Sequence, residues 1–161
     1  LLQNIRKKSN YDSLYFLISG HNADGTREKL EELNKKLQEK YKEKKFFLVF
    51  AEDYYNKTKL TFFDYPIIFA HLKGFSTYFS ELEGFGNNLL EVMASGLPAA
   101  VYEYPIFKKD IKKFRFKLVR FKKYIIQKRK INKTIKIILN EKLREKIVNH
   151  NLKILKQKLG H

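Results

Sequence analysis

Residues 80–98 read SELEGFGNNLLEVMASGLP, and their types and spacing suit a phosphorylated sugar ligand. Gly84 and Gly86 flank Phe85 at a turn into a helix, where a missing Cβ lets backbone approach a ligand closely. The amides that open this helix, near Gly86, Asn87 and Asn88, lack helical acceptors, and with the helix dipole they favour a phosphate above them. Glu83 precedes the turn and Glu91 lies two turns into the helix, and carboxylates so placed accept hydrogen bonds from sugar hydroxyls. Two other readings stay open. GFGNNL imitates a dinucleotide fingerprint, with Glu103, 19 residues after Gly84, as the ribose-binding acid, although Leu89 stands where the third glycine belongs and Glu83 would repel the phosphate. Alternatively the stretch is a plain strand-to-helix turn with Glu91 facing solvent.

Other polar residues are weaker candidates. Tyr54 and Tyr55 follow an apolar run and have the chemistry to stack on a nucleotide base, but an aromatic-rich chain also places tyrosines in loops by chance. His21 follows a strand in SGHNADG, His71 fits a surface helix, and His150 belongs to the basic tail. No His or carboxylate pair has metal-ligand spacing. Met93 and Leu97 fit a core by pattern.

Elements that position the motif are legible from hydrophobic period. SLYFLIS (13–19), FFLVFA (46–51), FSTYFS (75–80), LPAAVYEY (97–104) and FKLVRF (116–121) read as buried strands. Asp24 is a candidate N-cap for a helix whose stripe is Leu30, Leu33, Leu37 and Tyr41, and NNLLEVMAS is a helix stopped by Gly96 and Pro98. A short helix interrupted by Pro66 fits FFDYPIIFAHLKG, and the tail from Lys122 carries helical stripes of Ile and Leu. Strands alternating with helices predict an α/β, Rossmann-like parallel sheet with helices on both faces, whose ligands sit at the carboxyl ends of the strands. SELEGFG falls on that edge. A single domain over 1–161 is expected.

At 161 residues, with 43% hydrophobic and 15% aromatic residues, the chain can bury one core. The absence of cysteine excludes disulfides and thiolate metal sites and fits a reducing, cytoplasmic setting. Charge is unevenly spread: residues 1–106 balance at 14 basic and 14 acidic, and residues 107–161, with 20 basic and 3 acidic, carry the whole +17. Such a tail fits solvated lysines, peripheral contact with an anionic membrane at its inner face or, less favoured, nucleic acid. A non-catalytic basic module binding membrane or nucleic acid is therefore the rival to an enzyme. The first residue, Leu1, suggests a piece of a longer protein.

EGFGNNLLE, with Glu83 and Glu91 separated by seven residues, and the following MASGLPAAV resemble the EGFG...LLEAMA.G.PVV signature of retaining GT-B glycosyltransferases of the family-four type. Ser80 matches a serine just upstream of that signature, YFLISG with ADGTREKL resembles the second strand and helix of the nucleotide-sugar domain, and NEKLREKIVNHNLK is similar to the terminal helices. The resemblance spans about residues 13–155. It implies the C-terminal half of a GT-B fold that transfers a hexose with retention from a nucleotide diphosphate sugar to an acceptor glycan or lipid. By it, Glu83 is the catalytic-site residue on the donor sugar, Gly84, Phe85, Gly86, Asn87 and Asn88 hold sugar and diphosphate, Glu91 binds the ribose, and the loop with Tyr54 and Tyr55 lies against the base. It also implies no metal or other cofactor. The family's first strand of this domain, with an Arg and a Lys for the diphosphate, and its acceptor-binding domain are expected upstream of Leu1, so the isolated chain should be inactive. Where many relatives have a Gly-rich turn, this chain has YEYPIFKKD, which departs from the pattern at Asp110 and its neighbours.

Overall fold

A computed structural model describes residues 13–18, 26–40, 45–54, 61, 64–81, 83–122 and 127–160. The expected positions Asp24, His21 and Tyr55 lie outside the described residues. Within them the chain is mixed α/β, with parallel strands in open sheets and helices around them, as the alternation of elements predicts. Contacts group it into two compact units, Leu2–Tyr65 and Pro66–His161.

In the first unit, strands β1 (Ser13–Ile18) and β2 (Lys45–Phe50) pair in parallel, with Tyr15 opposite Phe47. Helix α1 (Arg27–Lys40) connects them, as a parallel crossover requires. Both strands were expected to be buried, yet Tyr15 is 65% exposed and Phe16 and Phe47 are exposed as well. The cause is thin cover: α1 buries no residue completely, and its Leu33 stays 53% exposed at an apolar cleft of about 150 Å³ that remains between the helix and the two strands. Tyr15 and Phe47 cover each other instead, stacked with ring centroids 4.8 Å apart.

Polar contacts tie this unit together. After β2 a 3₁₀ turn (Ala51–Tyr54) brings Glu52 and Asp53 to Arg27 at the start of α1. The Arg27 guanidinium donates two parallel bonds of 2.8 Å to Asp53, one of 3.2 Å to Glu52 and one of 3.0 Å to Glu31, and it lies over the Phe50 ring. Asp53 and Glu31 raise the proton affinity of Arg27 above its ordinary value.

Helix α2 (Asp64–His71) opens with Asp64 accepting from the Thr61 amide and hydroxyl; Pro66 falls in its first turn, where the missing N–H costs nothing. In the second unit, β3 (Ser76–Tyr78), β4 (Ala99–Tyr102) and β5 (Val119–Phe121) form a parallel sheet with β4 central. Side chains alternate across β4, so Ala99 and Val101 join one core cluster and Ala100 the other. The first cluster packs Leu89 and Met93 of α3 (Asn87–Ala94) against Tyr104, Phe107 and Ile111, with Leu155 of α5 (Glu141–Leu159). The second packs Val119 and Phe121 against Ile137 of α4 (Lys128–Leu139) and Ile147 of α5. Met93 and Leu97 are core, as their pattern predicts.

Two polar clamps fix α5. Asn151, almost fully buried, accepts from the Lys117 amide at 2.8 Å and donates to the Lys117 carbonyl at 3.2 Å, locking the segment that enters β5. Arg144 donates to the Gly74 carbonyl just before β3. Gly160 ends α5 in the left-handed conformation. No helix among the described residues is long and apolar enough to cross a membrane.

Candidate functional site

Residues 79–81 leave the carboxyl end of β3, and residues 83–86 turn at Gly86 into α3. Gly86 has φ +84°, the left-handed region that a side chain enters at a cost, and a Cβ there would meet Tyr104 Oη at 2.0 Å. Glycine at this position is thus required twice, by conformation and by contact. Gly84 differs, because a Cβ on it would meet nothing within 4 Å. Its freedom from side-chain bulk leaves the face of the loop open rather than serving the packing beneath.

Helix α3 starts without a side-chain cap. The Leu89 and Leu90 amides both reach back to the Gly86 carbonyl, at 3.0 and 3.3 Å, so the amides of Asn87 and Asn88 precede the first helical bonds. The Asn87 and Asn88 side chains and Phe85 are exposed, and Glu83 and Glu91 are partly exposed. An open glycine loop, uncapped amides and two partly exposed carboxylates therefore lie at one edge of the sheet. Behind the helix, Ser95 Oγ donates to the Glu91 carbonyl at 2.9 Å, and Gly96, with φ +83°, ends the last turn.

Two tyrosines support the loop from below, and sequence reasoning passed over both. Tyr78 ends β3 and Tyr104 follows β4 in the YEYP turn, with ring centroids 6.2 Å apart. Burial raises the proton affinity of both hydroxyls, Tyr104 to about 12, and the nearby Glu83 carboxylate adds to each shift. For Tyr78 the more distant Glu91 contributes too, so this one hydroxyl senses both carboxylates of the motif. Tyr104 Oη is buried with no hydrogen-bond partner among the described residues, and Tyr78 Oη stands beside Glu83 without closing a bond of strict geometry. The available signal was the YEYP turn itself, a bulky substitute where a Gly-rich turn was expected. Tyr104 fills the space such a turn would leave and presses its hydroxyl against Gly86.

The acid read as a ribose ligand under the dinucleotide alternative is used otherwise. Glu103 is 2% exposed, its amide donates to the Phe121 carbonyl, and its carboxylate faces Arg120 Nε at 3.5 Å and Lys112 Nζ at 3.9 Å. It is enclosed by its own chain's cations, which leaves no face for a ribose. Asp110 sits in the π-helical turn Phe107–Ile111, whose Phe107 and Ile111 enter the core. Tyr54 is exposed in the first unit, and His150 Nε2 lies 3.3 Å from the Arg115 carbonyl, a structural contact on α5. Among the described residues, no three His, Asp or Glu side chains converge as a metal site would need.

No protein-family model matches the chain, and no solved structure matches it. It is similar to two curated proteins, both named mannosylglucosylglycerate synthase. The one from Petrotoga mobilis is 45% identical over 51 residues, covering 32% of this chain and 12% of the relative. The one from Thermotoga maritima is 32% identical over 96 residues, covering 52% of this chain and 22% of the relative. The chain thus spans under a quarter of the length of either relative, and the partial similarity is to glycosyltransferases in general.

Proposed function

We propose that the chain is the donor-binding part of a retaining glycosyltransferase of the GT-B type, transferring a hexose from a nucleotide diphosphate sugar. The observation that carries this reading is the Gly86 turn: a left-handed glycine fixed against Tyr104 starts an uncapped helix between Glu83 and Glu91 at the carboxyl edge of a parallel sheet. In this reading the amides from Gly86 to Asn88 hold the diphosphate, with Gly84 and Phe85 along the sugar, and the helix dipole offsets the charge that develops on the leaving group without a metal. Glu83 accepts from hydroxyls of the donor sugar near the reacting carbon, and Glu91 accepts from the ribose. Attack from the same face as the departing diphosphate then retains configuration without a protein nucleophile. The acceptor, a glycan or lipid, falls to a separate domain. The partial similarity to two synthases of a glycoside supports the reaction class.

The test is a pair of variants in the full-length enzyme. Glu91→Ala should weaken nucleotide-sugar binding and Glu83→Ala should chiefly slow transfer. Unchanged binding and transfer in both would remove the site assignment. The 161-residue chain alone should bind a nucleotide diphosphate hexose weakly and turn nothing over, and measurable transfer by it alone would refute the donor-half reading.

A further inference from the structure

A concave feature of the basic segment lies on α4. A pocket of about 430 Å³ is lined by Arg129, Lys130, Asn132, Lys133 and Lys136, every one a hydrogen-bond donor and four of them cationic. Helix α4 reads KRKINKTIKIIL and contains no acidic residue. Its apolar face is already committed: Ile135 and Ile137 are buried in the second unit, so this helix has no free apolar stripe to insert into a bilayer. Among the described residues, none of the four lining cations is ion-paired, whereas nearby Arg120 is shared with Glu103.

Lys133 is the lining cation that contacts the backbone. Its Nζ donates to the Leu118 carbonyl at 3.3 Å, which anchors it between α4 and the start of β5. Partial burial, followed by Lys130, Arg120 and Arg129, holds its proton affinity below the ordinary lysine value. A like-charge cluster of this kind costs free energy when empty, and a bound polyanion reverses the sign of that cost.

We infer that the α4 pocket is a binding site for clustered phosphate groups, as in a pyrophosphate or a multiply phosphorylated head group. Four cations without an ion-pair partner among the described residues, lining one pocket along α4, match a compact polyanion, and Asn132 adds a neutral donor among them. The pocket shares no lining residue with the Glu83–Glu91 motif, so the inference stands apart from the proposed reaction.

The probe is inorganic pyrophosphate, titrated into the 161-residue chain and followed by calorimetry and by amide shifts. Binding should map to α4 and weaken about tenfold in Lys133→Gln/Lys136→Gln, since each lost charge-assisted contact is worth roughly 0.5–1 kcal/mol. A control pair, Lys153→Gln/Lys156→Gln on exposed positions of α5, removes the same charge elsewhere and should leave binding unchanged. Equal weakening in both pairs would overturn the site in favour of diffuse attraction by net charge. Because Lys133 donates to the Leu118 carbonyl, Lys136→Gln alone, at an exposed position, repeats the test without risk to the fold. Phosphatidylcholine vesicles doped with a phosphoinositide identify the source: capture that pyrophosphate competes away assigns a lipid head group to the pocket. Pyrophosphate binding without vesicle capture assigns a soluble ligand. Vesicle or oligonucleotide capture with no pyrophosphate binding, or no binding of any probe, would overturn the inference.

Discussion

The two compact units bury their apolar residues to very different degrees. In Pro66–His161, both faces of a three-stranded sheet are covered, and residues as large as Phe107, Tyr104 and Leu155 are almost completely removed from water. In Leu2–Tyr65, the described residues that reach full burial are Phe50, Ala51 and Tyr65, and the Arg27 cluster does much of the holding. A core excludes water and resists local opening; a charged hub on a thin sheet does so less, and loses strength to salt. The candidate motif belongs to the well-packed unit, as a site that must fix backbone amides within a fraction of an ångström requires.

The largest expected effect tests the packed side. Phe107→Ala empties a position that is 1% exposed and lies edge-on to Tyr104, with ring centroids 5.8 Å apart. Its cost should be about 3–5 kcal/mol, a large share of an ordinary domain's stability. Leu33→Ala on α1, where the side chain is 53% exposed, should change stability by less than about 0.5 kcal/mol. Chemical denaturation with hydrogen exchange resolves both, and equal costs would erase the contrast between the units.

Next comes the turn. Gly86→Ala should cost about 2–4 kcal/mol, from the left-handed backbone and the clash with Tyr104 Oη together. Tyr104→Phe removes the clashing oxygen, so the double variant should recover part of that loss, and a thermodynamic cycle measures the coupling. Gly84→Ala should be close to neutral in stability because no atom stands near the added Cβ. A loss of donor binding in Gly84→Ala then reports on ligand approach and not on folding.

Much of this was legible in the sequence. The apolar runs and their period located every strand among the described residues to within a few positions, and the Gly-Phe-Gly turn after FSTYFS placed the motif at the carboxyl edge of the sheet, where the structure has it. Periodicity could not show how much cover each strand would receive, because an apolar run reads the same on a sheet with one helix as between two layers. Tyr15, Phe16 and Phe47 were misjudged for that reason. The tyrosine support was hidden differently: Tyr78 ends β3 and Tyr104 lies far from it in sequence, just past β4, and the parallel pairing of β3 with β4 brings them together. Glu103 sat at the spacing of a ribose ligand, and the fold of 112–120 supplied the cations that enclose it.

Alkaline pH probes the same support. Tyr104 titrates at about 12 in the folded chain and near 10 when unfolded, so the folded state holds this proton more tightly. Its contribution is complete below pH about 10 and is lost as pH rises from there towards 12; Tyr78 is shifted in the same direction. Ultraviolet titration should show two late-ionising tyrosines, and Tyr104→Phe should flatten the fall in stability over that window. Normal titration of every tyrosine would contradict the burial of the pair beneath Glu83.

The smallest effect is expected at Arg27, and it sharpens the comparison from the other side. The guanidinium is partly exposed, so its four bonds to Asp53, Glu52 and Glu31 compete with water and with added salt. Arg27→Met keeps an unbranched apolar side chain that can lie over the Phe50 ring and removes the charge, separating packing from pairing. Hydrogen exchange should quicken modestly in α1 and β2 and stay unchanged in β3, β4 and β5. Moderate salt should reproduce part of that change in the unsubstituted chain and none of it in Arg27→Met. Quickening that spreads equally through β4, whose Val101 is fully buried, would mean that the charged hub supports the packed unit as well, and the division of labour drawn between them would fall.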